Sequence, residues 1–185
     1  MKKGIPLVAL GTAMLAFGLA ACVEIPGLYS TGVDDNGDTL PIGSDELHYS
    51  FFGPVAPPAK VLTGHTAWVA PPVGSAWIGP ANGDTIAPVG DYTYTVNFDL
   101  TGLDPRSASI KGALAADNVV TILLNGTDTG FMHPDEPSAF RSLEPFSIKA
   151  GFVSGMNTLE FLVNNDAGPS GILVANLKGN ALPLP

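Results

Sequence analysis

Cysteine is almost missing: a single one, Cys22, stands in 185 residues. One cysteine excludes an internal disulfide, so a folded part of this size must hold by core packing. Basic residues are scarce as well, eight Lys and Arg against 17 Asp and Glu, for a net charge of −9. That excludes the broad basic surface that nucleic-acid phosphates require. It also argues against an electrostatic membrane contact. Amphipathic helical patterns of useful length are absent, while 22 glycines and 17 prolines interrupt the chain. Short β-branched and aromatic runs between such breakers read as all-β. No unit of 20–50 residues recurs, which sets aside propellers and solenoids. There is no G-x-S-x-G, no H-E-x-x-H and no phosphate loop. The three histidines, His48, His65 and His133, share no metal-ligand spacing and read as surface or structural residues.

What is present begins at the N-terminus. Lys2 and Lys3 precede an uncharged apolar run over residues 5–21. A charged start followed by such a run is the pattern of an export signal, and the run is shorter than the ~20 residues of a spanning helix. No later run is long enough to span. The run ends Leu19-Ala20-Ala21-Cys22. This resembles the bacterial lipobox, which implies cleavage after Ala21 and acylation of Cys22 as the new N-terminus. Two or three acyl chains, at ~0.8 kcal/mol per buried methylene, anchor a protein stably where one is marginal. Val23 follows, where Asp would favour inner-membrane retention, so the expected location is the outer membrane of a two-membrane cell. Cleavage leaves 164 residues with six basic and 17 acidic side chains, a net of −11. The expected division is a signal at 1–21, a lipidated tether or docking segment at 22–45, one domain at 46–181 and a tail at 182–185. Leu28, Tyr29, Val33 and Leu40 are the candidates for docking.

The clearest strand spans residues 91–101. Tyr92, Tyr94, Val96, Phe98 and Leu100 alternate with polar residues, giving one dry face and one wet. Residues 108–114 alternate likewise, and 119–124 form a nearly continuous apolar strand. Asn125-Gly126 is a hairpin turn signal. Further strands are expected at 48–53, 60–63, 67–69, 76–78, 145–149, 156–164 and 172–178, and a turn at Asn82-Gly83-Asp84. Eight or nine short strands suit an all-β, two-sheet antiparallel β-sandwich.

The order of several motifs adds to this. Trp77-Ile78-Gly79-Pro80, the strand 91–101, Asp117-Asn118, Asn125-Gly126, the run 151–159 and Val163-Asn164-Asn165 together resemble exported bacterial domains with a galactose-binding-like jelly roll of the discoidin or carbohydrate-module type. The resemblance covers about residues 45–180. It implies ligand binding by loops at one end of the sandwich, a glycan as partner, and a structural calcium ion. No sugar-contacting residue carries over individually, and the fold alone does not assign a role.

Asp34, Asn36 and Asp38 have the i, i+2, i+4 spacing of a calcium loop, and Asp45 is a further hard ligand. Thr39 stands where an EF-hand needs glycine, so the segment is a sandwich calcium site or a solvated acidic turn. Trp68 and Trp77 are candidate stacking platforms for sugar rings, or core. Asp117, Asn118, Asn164 and Asn165 lie at strand ends; they either converge on one rim as a binding site or cap their own turns. The sequence reads as a non-catalytic, membrane-anchored binding module for carbohydrate or another surface polymer. A structural component of the envelope that binds another protein is the alternative. An exposed aromatic beside polar loop ends favours the first, and a broad apolar patch the second.

Overall fold

The computed structural model describes residues 21–80 and 86–185; the apolar run and the Asn82-Gly83-Asp84 turn lie outside them. Eleven strands occur among the described residues: β1 (Val23–Glu24), β2 (Ser50–Phe52), β3 (Lys60–Val61), β4 (Ile78–Gly79), β5 (Gly90–Asp99), β6 (Ser109–Asp117), β7 (Val119–Leu124), β8 (Thr127–Asp128), β9 (Glu144–Ile148), β10 (Met156–Asn165) and β11 (Gly171–Ala181). One sheet runs β3-β4-β11-β6-β9, with β1 also on β11; the other runs β2-β5-β10-β7-β8. Every pairing is antiparallel. The fold is a two-sheet antiparallel β-sandwich. Residues 67–69, expected as a strand, instead form a turn in which the Trp68 amide donates to the His65 carbonyl at 2.9 Å. The turn directs the indole back onto the sheet.

The core follows from alternation. Tyr92, Tyr94, Val96 and Phe98 of β5, with Phe161 of β10 and Ile122 of β7 in the same sheet, form one buried cluster with Ile110 and Leu114 of β6 and Val174 of β11 from the other sheet. At ~25 cal/mol per Å² of apolar surface, such aromatic and branched side chains contribute about 1.5–3 kcal/mol each. The hairpin β7–β8 closes at Asn125-Gly126, with φ of 52° and 74°. Both residues lie in the left-handed region that a two-residue type I′ turn demands.

Strand β11 is the spine of its sheet. One edge pairs with β6; the other would be open but is covered by three pieces. β4 meets its start at Ile172, β1 meets its end at Asn180 and Ala181, and Thr31 closes the gap. The Thr31 amide donates to the Val174 carbonyl at 2.9 Å, and its hydroxyl accepts from the Val174 amide at 3.0 Å. Covering an edge in this way removes a template for aggregation. Leu28 and Leu40 pack on the core from the same segment, and Tyr29 stacks on His48 with ring centroids 3.7 Å apart. Glu46, buried, accepts from the amides of Gly32 at 2.7 Å and His48 at 2.9 Å. Burial raises its pKa against those hydrogen bonds.

The sandwich has two distinct ends. At one, the start of β11 meets the ends of β6 and β10. At the other, β1 and the end of β11 meet residues 102–107, with Leu103 bridged to Pro183. The second end is pinned by Asn157, which is buried. Its side-chain amide donates to the Val153 and Gly155 carbonyls at 2.8 Å, and its oxygen accepts from Val153 N and Asn125 Nδ2 at 2.9 Å. Asn157→Ala orphans these groups and should cost about 2–3 kcal/mol. The check is a lowered urea midpoint at unchanged slope; a shift near zero would contradict this account.

Candidate functional site

A loop-built hollow of about 230 Å³ opens at the first end, beside the last residues of β6. Its base is Asp117, only 4% exposed. The Trp68 indole N–H donates to Asp117 Oδ2 at 2.8 Å. Asn118 is next; its amide donates to the Asn164 carbonyl at 3.1 Å and its side-chain oxygen accepts from Asp166 N at 3.2 Å. Asn164 in turn donates to Asp91 Oδ1 at 2.6 Å. Asp117 and Asn118 therefore share one rim, and Asn164 is tied to it through its backbone carbonyl only. His65, Ala67, Phe140 and Pro169 complete the walls. Gly171 lies beneath the tryptophan: a Cβ there would sit 3.0 Å from the indole ring and from the Ile78 carbonyl. Only glycine lets Trp68 lie this close to the sheet.

Three expected ligand residues are placed otherwise. Trp77 is 1% exposed and Trp68 7%; their rings pack 4.3 Å apart in a second cluster with Leu62, Ala115 and Leu173 on the outer face of the first sheet. Both indole N–H groups are spent, that of Trp77 on the Val69 carbonyl at 2.9 Å. Neither offers a ring face to a sugar, because each is needed to seal this outer cluster. Trp77→Ala would cost about 3–5 kcal/mol and is a stability probe. Asn165 is 0% exposed and donates to the Ala87 and Pro88 carbonyls at 3.2 and 3.0 Å, so it holds that loop from inside.

The acidic segment forms a closed turn. Asp34 Oδ1 already accepts from the amides of Asn36 at 2.8 Å and Asp38 at 3.0 Å, in a tight turn between the bridged Val33 and Thr39. Those N–H groups lower the Asp34 pKa, Asp38 foremost. Asp45 is not part of the turn but is ion-paired with Lys60. Among the described residues no three His, Cys, Asp or Glu side chains gather around one point, and calcium needs 6–8 oxygens. Of the histidines, His133 is buried and bonded to Ser142 and Asp135, His48 lies under Tyr29, and His65 borders the hollow. Cys22 is exposed and unpaired, immediately before β1.

No family model matches this chain, and no curated protein does. Among solved structures it is similar to a family 35 carbohydrate binding module from Clostridium thermocellum, at 14% identity and a TM-score of 0.43 over 86% of this chain and 98% of that one. It is also similar to a mutant family 29 carbohydrate binding module, at 15% identity and 0.43 over 88% and 93%. A third is the Stig cyclase Fisc from Fischerella sp. TAU, at 11% identity and 0.46 over 89% and 100%. Likenesses this loose carry no argument, and the sandwich rests on its own strand pairing.

The electrostatics of the hollow are specific. Burial raises the Asp117 pKa to about 6; the Trp68 hydrogen bond opposes this, the nearby Asp166 charge adds to it and His65 opposes it. A carboxyl whose folded pKa exceeds its unfolded one, ~3.9, stabilises the fold while protonated. That contribution is full below about pH 4 and is lost as pH rises through about 6. Asp117→Asn keeps an acceptor for the indole but cannot ionise. The stability of the variant relative to the parent should therefore grow between pH 4 and 7, read by urea unfolding at each pH. A difference flat with pH would show that Asp117 is not held in this way.

Proposed function

We propose that the chain is an exported lipoprotein, acylated on Cys22, whose sandwich is a non-catalytic module binding carbohydrate or another surface polymer in the hollow at Asp117. The observation that carries this reading is the hollow itself. It sets one buried carboxyl and one amide, Asp117 and Asn118, among apolar walls from Phe140, Pro169 and the edge of Trp68. A sugar ring presents hydroxyls that both donate and accept and a C–H face that packs on apolar surface; convergent polar groups in an apolar concavity suit it. At about 230 Å³ the space takes one ring, below the ~300–1,000 Å³ of a drug-sized cleft. Asp117 also feels Asp166, and a hydrolase uses two carboxyls. Against that chemistry, Asp117 is nearly covered and one of its oxygens is fixed on the indole.

Two measurements test the reading. The full chain in neutral detergent, applied to a glycan array, should bind a defined sugar class. Ala67→Trp, which fills the hollow from an exposed position, should weaken that binding at least tenfold with an unchanged melting temperature. A blank array from folded protein would sink the glycan reading and favour an envelope-assembly role. Separately, metabolic labelling with a fatty-acid analogue should label the parent and not Cys22→Ser; an unlabelled parent would refute the lipid anchor.

A further inference from the structure

We propose a second binding site, on the outer face of the first sheet: an anion-binding groove that takes a carboxylate-bearing polysaccharide. It is independent of the hollow at Asp117. The groove has a volume of about 600 Å³, within the range of ligand clefts. Its walls include Lys111 and Lys178, with Ser147 and Asn176 beside them and Gly112, Ala113 and Pro145 as a low floor.

The two lysines are brought together by a deliberate irregularity. Ala175 pairs with Ala113 and Lys178 with Lys111, so β11 spends three steps where β6 spends two. The extra residue is Asn176, whose φ of 55° is the left-handed turn of a β-bulge. Without it Lys178 would fall on the inward face with Val174. The bulge restores the alternation instead: Leu177 enters the core, and Lys178 emerges directly opposite Lys111.

Like charges opposite each other on neighbouring strands are destabilising. Here they stand in a chain where acids outnumber bases 17 to eight; Lys178 also borders a neighbouring hollow that holds Glu24 and Asp35. Among the described residues Lys60 pairs with Asp45 and Arg106 with Asp104, while Lys111 and Lys178 enter no ion pair. Register places Glu24, opposite Asn180, diagonally from Lys178, and no bridge joins them. Lys149, exposed and just past β9, is not a wall of the groove. An anion between Lys111 and Lys178 relieves their repulsion.

The occupant's chemistry follows. A nucleic acid brings one charge per ~1.7 Å of duplex and needs many cations, against which this acidic protein repels. A flat floor of glycine, alanine and proline admits rings lying on it, and two lysines match the sparser charge of an acidic sugar chain.

The test uses the full chain in neutral detergent, with polygalacturonate as probe and its methyl ester as the uncharged control. At low salt the parent should bind the acid and not the ester. Lys111→Gln with Lys178→Gln should weaken binding at least tenfold, while the ligand-free variant melts no lower than the parent because the repulsion is gone. The Lys→Arg pair should retain binding, and Ala67→Trp should leave it unchanged, which separates this groove from the hollow. Equal binding by the glutamine variant, binding of the ester as tight as the acid, or no binding by the parent would each overturn the proposal.

Discussion

The hydrogen bond from the Trp68 indole to the Asp117 carboxyl ties the outer layer of this sandwich to the end of β6. It sits where the loop over residues 63–72 meets the end of β6. With it in place, Trp68 packs on Trp77, the Val69 carbonyl receives the second indole, and the Val69 amide reaches the Phe140 carbonyl at 2.8 Å. Each contact places the next. The same bond is why Asp117 tolerates burial: a carboxyl removed from water costs much less when a donor faces it. The interaction that helps build the walls of the hollow also opposes the rise that burial gives the Asp117 pKa.

The other constraint is the open edge of β11. A spine strand with one bare side invites pairing with another chain. This protein answers with its own N-terminal segment, which reaches past Thr31 and is clasped by the buried Glu46. The polar, glycine-rich composition of that segment hides how much of it is structural.

Where alternation is clean, sequence alone reveals the fold. β5 and β10 follow a period of two, and each was legible as an alternating strand; β7 reads as continuously apolar, and only the structure separates its inward Val120, Ile122 and Leu124. Asn125-Gly126 announces its turn because two consecutive left-handed residues favour that pair. Of the residues expected at strand ends, Asp117 and Asn118 line the hollow, while Asn164 touches Asn118 through its backbone carbonyl and turns its side chain to Asp91. Trp68 and Trp77 misled because the sheet's outer face carries a second apolar layer, so a residue pointing away from the main core is still buried. Lys178 was hidden for a different reason. Counting by twos from Ile172 places it inside, and only the bulge at Asn176, which no local pattern marks, reverses that. Asp34 and its neighbours carry the spacing of a metal loop, but spacing cannot tell whether a carboxylate will satisfy an ion or the amides of its own turn.

The pairing of Val23 and Glu24 with the end of β11 begins one residue after Cys22. The proposed acylation of that cysteine would leave little slack between bilayer and domain. Its height is set by strand length: from Ala181 back to Gly171, ten steps of β11 span roughly 33 Å. The hollow at Asp117 lies at that far end, so acyl chains on Cys22, as proposed, would leave it facing away from the lipid.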